Sequence, residues 1–193
     1  MYTPQDFKVT DKKELLAFIK VNAFGQLISL VDNHLFSSHI PFSLSVDKQS
    51  LICHVAKRNP QWENIETQEV LVTFQGSHDY ISPSWYESGG VPTWNYQAVH
   101  VYGRPKVITE PKKLKVIVEE LTDEYESAFE SPWNPEYKES LLNMIVGIQI
   151  NITEIQGKYK LSQNRPKNDQ SKVIEELEKK GSIKLSSTMK KKL

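Results

Sequence analysis

Residues 80–103, YISPSWYESGGVPTWNYQAVHVYG, limit the fold of this chain more than any other stretch. They hold two of the four Trp, four of the eight Tyr and two of the ten Pro. Positions 95–103 alternate as a strand does, while Gly89-Gly90 cannot sit comfortably inside a regular element and marks a hinge. Before the hinge, 81–86 is an aromatic segment interrupted by Pro83. Aromatic-rich strands are usually core, and packing is the first reading of any single ring here. Trp, Asn, Gln and His together also give flat apolar surface with directed hydrogen bonds, which a planar cofactor requires.

The flanking pattern supplies the other elements. Residues 11–23 place Leu15, Leu16, Phe18 and Ile19 at helical spacing, with Asp11 and Glu14 as a capping box. An apolar run at 24–31, a turn at Asp32-Asn33 and a return at 34–42 predict a hairpin with Pro41 near its end. A third strand covers 51–55, and Asn59-Pro60 is an N-cap and first-turn pair for a short helix through Trp62 and Ile65. Residues 69–75 form a strand with Val70, Val72 and Phe74 on one face, which Gly76 ends or bends. The aromatic strand continues past Gly103 towards Ile108. A long helix follows at 111–129, a break at 131–135, a short helix at 136–144 and a strand at 145–152 containing Gly147. A last amphipathic helix spans 169–180, and 184–193 reads as a frayed tail. Six or so strands, mostly in hairpins, predict a small antiparallel barrel with helices packed on it.

Length and charge bound the function. A chain of 193 residues supports one core and an appended element, expected as a domain over 1–167 with a C-terminal helix and basic tail over 168–193. The 24 basic and 24 acidic residues cancel, but 156–193 carries 11 of the former and 4 of the latter. Cys53 stands alone, so no internal disulfide or Cys-based metal motif can form, and a reducing cytoplasm fits. No charged-then-apolar leader opens the chain and no apolar run is long enough to cross a bilayer, so no membrane role is expected. There is no GxxxxGK, GxGxxG, HExxH or GxSxG motif. The five His (34, 39, 54, 78, 100) are irregularly spaced, and no metal site is assigned. Cys53 and His54 are neighbours on a strand and point to opposite faces.

A phosphate pocket is the sharper signal. Lys57, Arg58 and Asn59 lie between a strand and a helix start, where free amides and cations suit an anion. Ser37, Ser38 and His39 add donors that could meet the same anion or a flavin edge.

The strings SSHIPF (37–42), HVAKRNPQW (54–62), VTFQGSHDYISPSWY (72–86), VPTWNYQAVHVYG (91–103) and IVGIQINITEIQGKYKLSQNR (145–165) span most of the chain. In these the chain resembles the PaiB family of FMN-binding negative transcriptional regulators. That family is similar in fold to pyridoxamine phosphate oxidase, so the resemblance implies a mainly β fold with α, a split β-barrel with helices packed around it. It also implies a homodimer with FMN at the subunit interface. The matching positions implied for the cofactor are Lys57, Arg58 and Asn59 with His54 for the phosphate, Ser38 and His39 along the ring, Trp94 and Gln97 towards cofactor or partner, and Arg165 in the C-terminal signature.

The resemblance implies a repressor of protease-synthesis and sporulation genes. The residues themselves show no helix-turn-helix and no broad basic face, so direct DNA contact has only the tail to rest on. A flavin-dependent oxidoreductase is the alternative, with catalytic residues unassigned. A haem-binding split barrel, using His39, His78 or His100, is the third reading.

Overall fold

The structure, a computed structural model, describes residues 1–133 and 138–193. Among the described residues eight strands form one mostly antiparallel sheet: β1 Lys8–Val9, β2 Phe24–Val31, β3 His34–Pro41, β4 Ser43–Leu44, β5 Ser50–Ala56, β6 Val70–Ile81, β7 Thr93–Ile108 and β8 Ile145–Lys160. Their order is β3-β2-β6-β7-β8-β5-β4, with β1 added beside β8. The path ends at β3 and β4, so the sheet is not closed into the expected barrel wall. Helices α1 Lys12–Val21, α2 Pro111–Glu126, α3 Lys167–Lys179 and α4 Ile183–Lys190 complete the chain. The fold is therefore mainly β with helices packed on it, as the resemblance implied.

The β2–β3 hairpin forms where expected, in register from Val31 opposite His34 to Phe24 opposite Pro41. Asp32 and Asn33 both take the left-handed conformation, with φ of 49° and 63°. Two such residues make the turn whose twist matches that of the strands. Asp11 caps α1 by accepting from the Lys13 amide at 2.8 Å. Glu14 does not return to the cap, because it is drawn to Lys192 at 2.8 Å.

The chain divides into two compact units. Unit 1 comprises Met1–Asn22, Phe74–His100 and Gln156–Leu193; unit 2 comprises Ala23–Thr73 and Val101–Ile155. Unit 1 buries Ile19, Phe74, Val99, Leu161, Leu177 and Leu185, and unit 2 buries Leu27, Phe42, Leu51, Val72, Ile148 and Ile150.

Four local expectations change. Gly76 does not end its strand: it lies inside β6, where a Cβ would sit 2.7 Å from the Phe18 ring, so the missing side chain lets α1 approach the sheet. The helix after Asn59 is only a 3-10 turn, Pro60–Trp62, followed by another at Ile65–Thr67. Residues 184–193 are not frayed, because α4 buries Leu185, Ser186 and Met189 in unit 1. Of the helix expected over 136–144, Lys138 is extended, Glu139–Met144 is a 3-10 helix, and residues 136 and 137 lie outside the described residues.

Candidate functional site

In unit 2, residues 57–62 leave β5 as a tightly held loop. The Lys57 amide donates to Met144 O at 2.8 Å and the Asn59 amide to Ala56 O at 2.8 Å. Trp62 Nε1 closes the loop onto Lys57 O at 3.0 Å. Asn59 Oδ1 accepts from the Gln61 amide at 2.9 Å, as an N-cap should, while its Nδ2 donates to Ser38 Oγ on β3 at 2.9 Å. Gln61 is buried, and its Nε2 donates to Leu27 O and Ser29 Oγ, both at 2.9 Å. The side chains of Lys57 and Arg58 are exposed, and neither makes an ion pair among the described residues. Two cations are thus carried on a rigid backbone beside a hydroxyl and an amide.

Asn59 is hydrogen-bonded to Ser38, and Lys57 and Arg58 precede Asn59 in the same loop, although no helix long enough to act as an anion-binding terminus follows them. His39 does not join them. Adjacent strand residues face opposite ways, and His39 lies beside Phe24 with ring centroids 6.4 Å apart. His54 is half-buried on β5, its Nδ1 has no hydrogen-bond partner, and burial lowers its pKa. Its neighbour Cys53 is buried on the opposite face of the strand, and burial pushes its thiol up. Among the described residues no group of His, Cys, Asp and Glu could hold a metal ion.

Unit 1 separates Trp94 from Gln97, which lie on opposite faces of β7. Trp94 is exposed and packs edge-on to Tyr80 at 6.1 Å, with His78 at 6.4 Å. Gln97 is buried and lines a cavity of about 540 Å³ with Phe18, Tyr159 and Ser77 beneath α4. The Phe18 and Tyr159 rings are 5.3 Å apart. Arg165 stacks on Tyr86 at 4.3 Å and donates to Gly89 O at 3.0 Å, so it holds the glycine hinge. Lys160 donates to Trp94 O at 2.8 Å, and its pKa is lowered by burial and by the cations Lys158 and Arg165.

Sequence reasoning missed Gln61 and the walls contributed by Phe18 and Tyr159. Gln61 had a signal, a polar residue within a capped turn where a buried side chain must find partners. The two rings had none, because they come from opposite ends of the chain.

Residues 1–154 match the family described as "Putative FMN-binding domain". The chain is also 41% identical over 189 residues to the "Protease synthase and sporulation protein PAI 2" of Bacillus subtilis, covering 92% of this chain and 89% of that one. This chain belongs to the PaiB family of flavin-binding proteins.

The PaiB fold is similar to solved structures at low identity. The flavocytochrome Anf3 of Azotobacter vinelandii has a TM-score of 0.64 at 11% identity, over 79% of this chain and 69% of its own. The FAD and heme binding protein of Mycobacterium smegmatis has a TM-score of 0.64 at 13% identity, over 79% and 73%. At such identity these likenesses bear on fold alone. Among the described residues of this PaiB-family chain, no helix is long and apolar enough to cross a membrane.

Proposed function

We propose that the chain binds FMN as a homodimer and acts as a PaiB-like negative regulator of genes for protease synthesis and sporulation. The observation that carries the FMN reading is the ordered loop 57–62, which presents Lys57 and Arg58 next to Ser38 and Asn59. This donor set fits a phosphate monoester: two charges without internal partners, and neutral groups to orient the oxygens. Separately, in unit 1, the cavity at Gln97 offers the Phe18 and Tyr159 ring pair as apolar surface for a planar ring. The regulatory role is supported by the likeness to the Bacillus subtilis protein, whose name refers to sporulation and protease synthesis.

The cavity at Gln97 favours a second reading, a flavin-dependent oxidoreductase, because about 540 Å³ beside the Phe18–Tyr159 ring pair leaves room for a reactant. When bound, FMN would supply the redox chemistry in either case. Bleaching of bound flavin by NADPH, with turnover, would select the enzyme over the regulator.

Flavin titration tests the phosphate assignment. Lys57→Ala combined with Arg58→Ala is expected to weaken FMN by about 2–4 kcal/mol, from lost charge-assisted bonds, and to leave riboflavin unchanged. Unchanged FMN affinity in the double variant rejects the assignment.

A further inference from the structure

Helix α2 turns Leu114 and Ile117 into the core of unit 2. Gly147 makes room for them, since a Cβ there would lie 2.9 Å from Ile117 Cδ1 and 3.1 Å from Leu114 Cδ2. Beside this buried row runs another, Lys112, Val116 and Glu120, spaced by four residues and so stacked on one side of the helix. It borders a groove of about 650 Å³ that is also lined by Leu44, Val46, Ile52 and Ile108. Val116 is 50% exposed and Val46 98% exposed.

Val46 does not sit on a loose end. Ser45 Oγ donates to Asp47 Oδ1 at 2.7 Å, the Ser50 amide to Ser45 Oγ at 2.9 Å, and the Gln49 amide to Asp47 Oδ1 at 3.0 Å. An ordered turn therefore holds a bare valine at the edge of an apolar groove.

The charges along the groove are polarised. Lys112 and Lys113 lie at one end, and Glu120 and Glu124 lie further along the helix. At 1.5 Å per residue, Lys112 and Glu124 are about 18 Å apart along the axis. Lys113 is paired with Glu110 at 2.8 Å, whereas Lys112, Glu120 and Glu124 make no ion pair among the described residues; Lys112 lies in the first turn of α2, where the free amides add to its positive charge and favour an anion at that end. The volume falls in the range of small-ligand pockets.

We propose that this groove binds an amphipathic monocarboxylate, its apolar chain along Leu44, Val46, Ile52, Ile108 and Val116 and its carboxylate at Lys112. The site shares no residue with the loop 57–62 or with the Gln97 cavity, so it stands apart from the flavin reading.

Calorimetric titration of the full chain with dodecanoate, dodecanol and dodecylamine, each below its micelle concentration, tests this. Dodecanoate is expected to bind at one equivalent, tighter than about 1 mM, and roughly tenfold tighter than the amine. Val116→Asp should reduce dodecanoate binding by roughly tenfold or more, and Lys112→Gln should remove the preference for acid over alcohol, while both variants keep FMN affinity. No dodecanoate binding, an amine that binds as well as the acid, or full binding by Val116→Asp would overturn the proposal. So would a variant that loses dodecanoate and FMN together.

Discussion

Single residues set two testable limits on this fold. A Cβ on Gly103 would meet Asn151 O and Ile150 Cγ2, each at 2.6 Å. A backbone oxygen in a paired strand cannot swing aside, so Gly103→Ala is expected to lower stability by about 1–3 kcal/mol in urea unfolding. Gly157 has a closer neighbour, Leu15 Cδ2 at 2.2 Å, but that is the far end of a flexible side chain. The same substitution there should cost less, and the reverse order would show that the strands yield before the side chain does. His54 contributes to the pH dependence. Burial lowers its pKa, so between the folded value and the ordinary 6.5 the unfolded chain holds more protons than the native one. Stability is then full above about pH 6.5 and falls as pH drops through the folded pKa. His54→Gln should flatten that decline in thermal melts from pH 7 to 5; an unchanged slope would place it on other groups, His100 first, whose pKa burial also lowers.

Elements decide what the C-terminal third does. The signature 160–165 builds a turn: Ser162 takes φ of 66°, its oxygen accepts from the Arg165 amide at 2.9 Å, and its hydroxyl accepts from Asn95 Nδ2 at 2.9 Å. Helix α3 then holds the glycine hinge through Asp169, which accepts from the Ser88 hydroxyl and from the Glu87 amide at 2.8 Å. These bonds keep the Asp169 carboxyl below the usual carboxylate range. Asp169→Ala should therefore speed proteolytic nicking within 86–92 under native conditions, and an unchanged cleavage map would show that Arg165 on Tyr86 is sufficient. Helix α4 completes the same core. Leu185 is buried, so Leu185→Ala is expected to cost about 2–5 kcal/mol, as no frayed tail would. A cost near zero would restore the reading of 184–193 as loose chain. That reading arose because a short Lys-rich segment has little periodicity to show, and only packing against unit 1 makes it a helix.

For the whole molecule, the proposed shared site requires two copies. Sedimentation at micromolar concentration is expected to give twice the 22.2 kDa chain mass, and a monomer that still binds FMN tightly would reject the shared site. The sequence by itself determined the strands with local marks. Asp32-Asn33 is a two-residue turn between alternating runs, Asn59 is a cap, and Val70, Val72 and Phe74 form one buried face, because turns, caps and alternation depend on neighbours a few residues apart. It also determined the family and the basic loop, since Lys57, Arg58 and Asn59 are contiguous. Only the tertiary structure decided that Asn59 and Gln61 lash this loop to the β2–β3 hairpin and that Phe18 and Tyr159 wall one cavity. Those facts rest on residues tens of positions apart, whose proximity follows from strand order and from the room left at Gly76, and neither is encoded in any local pattern.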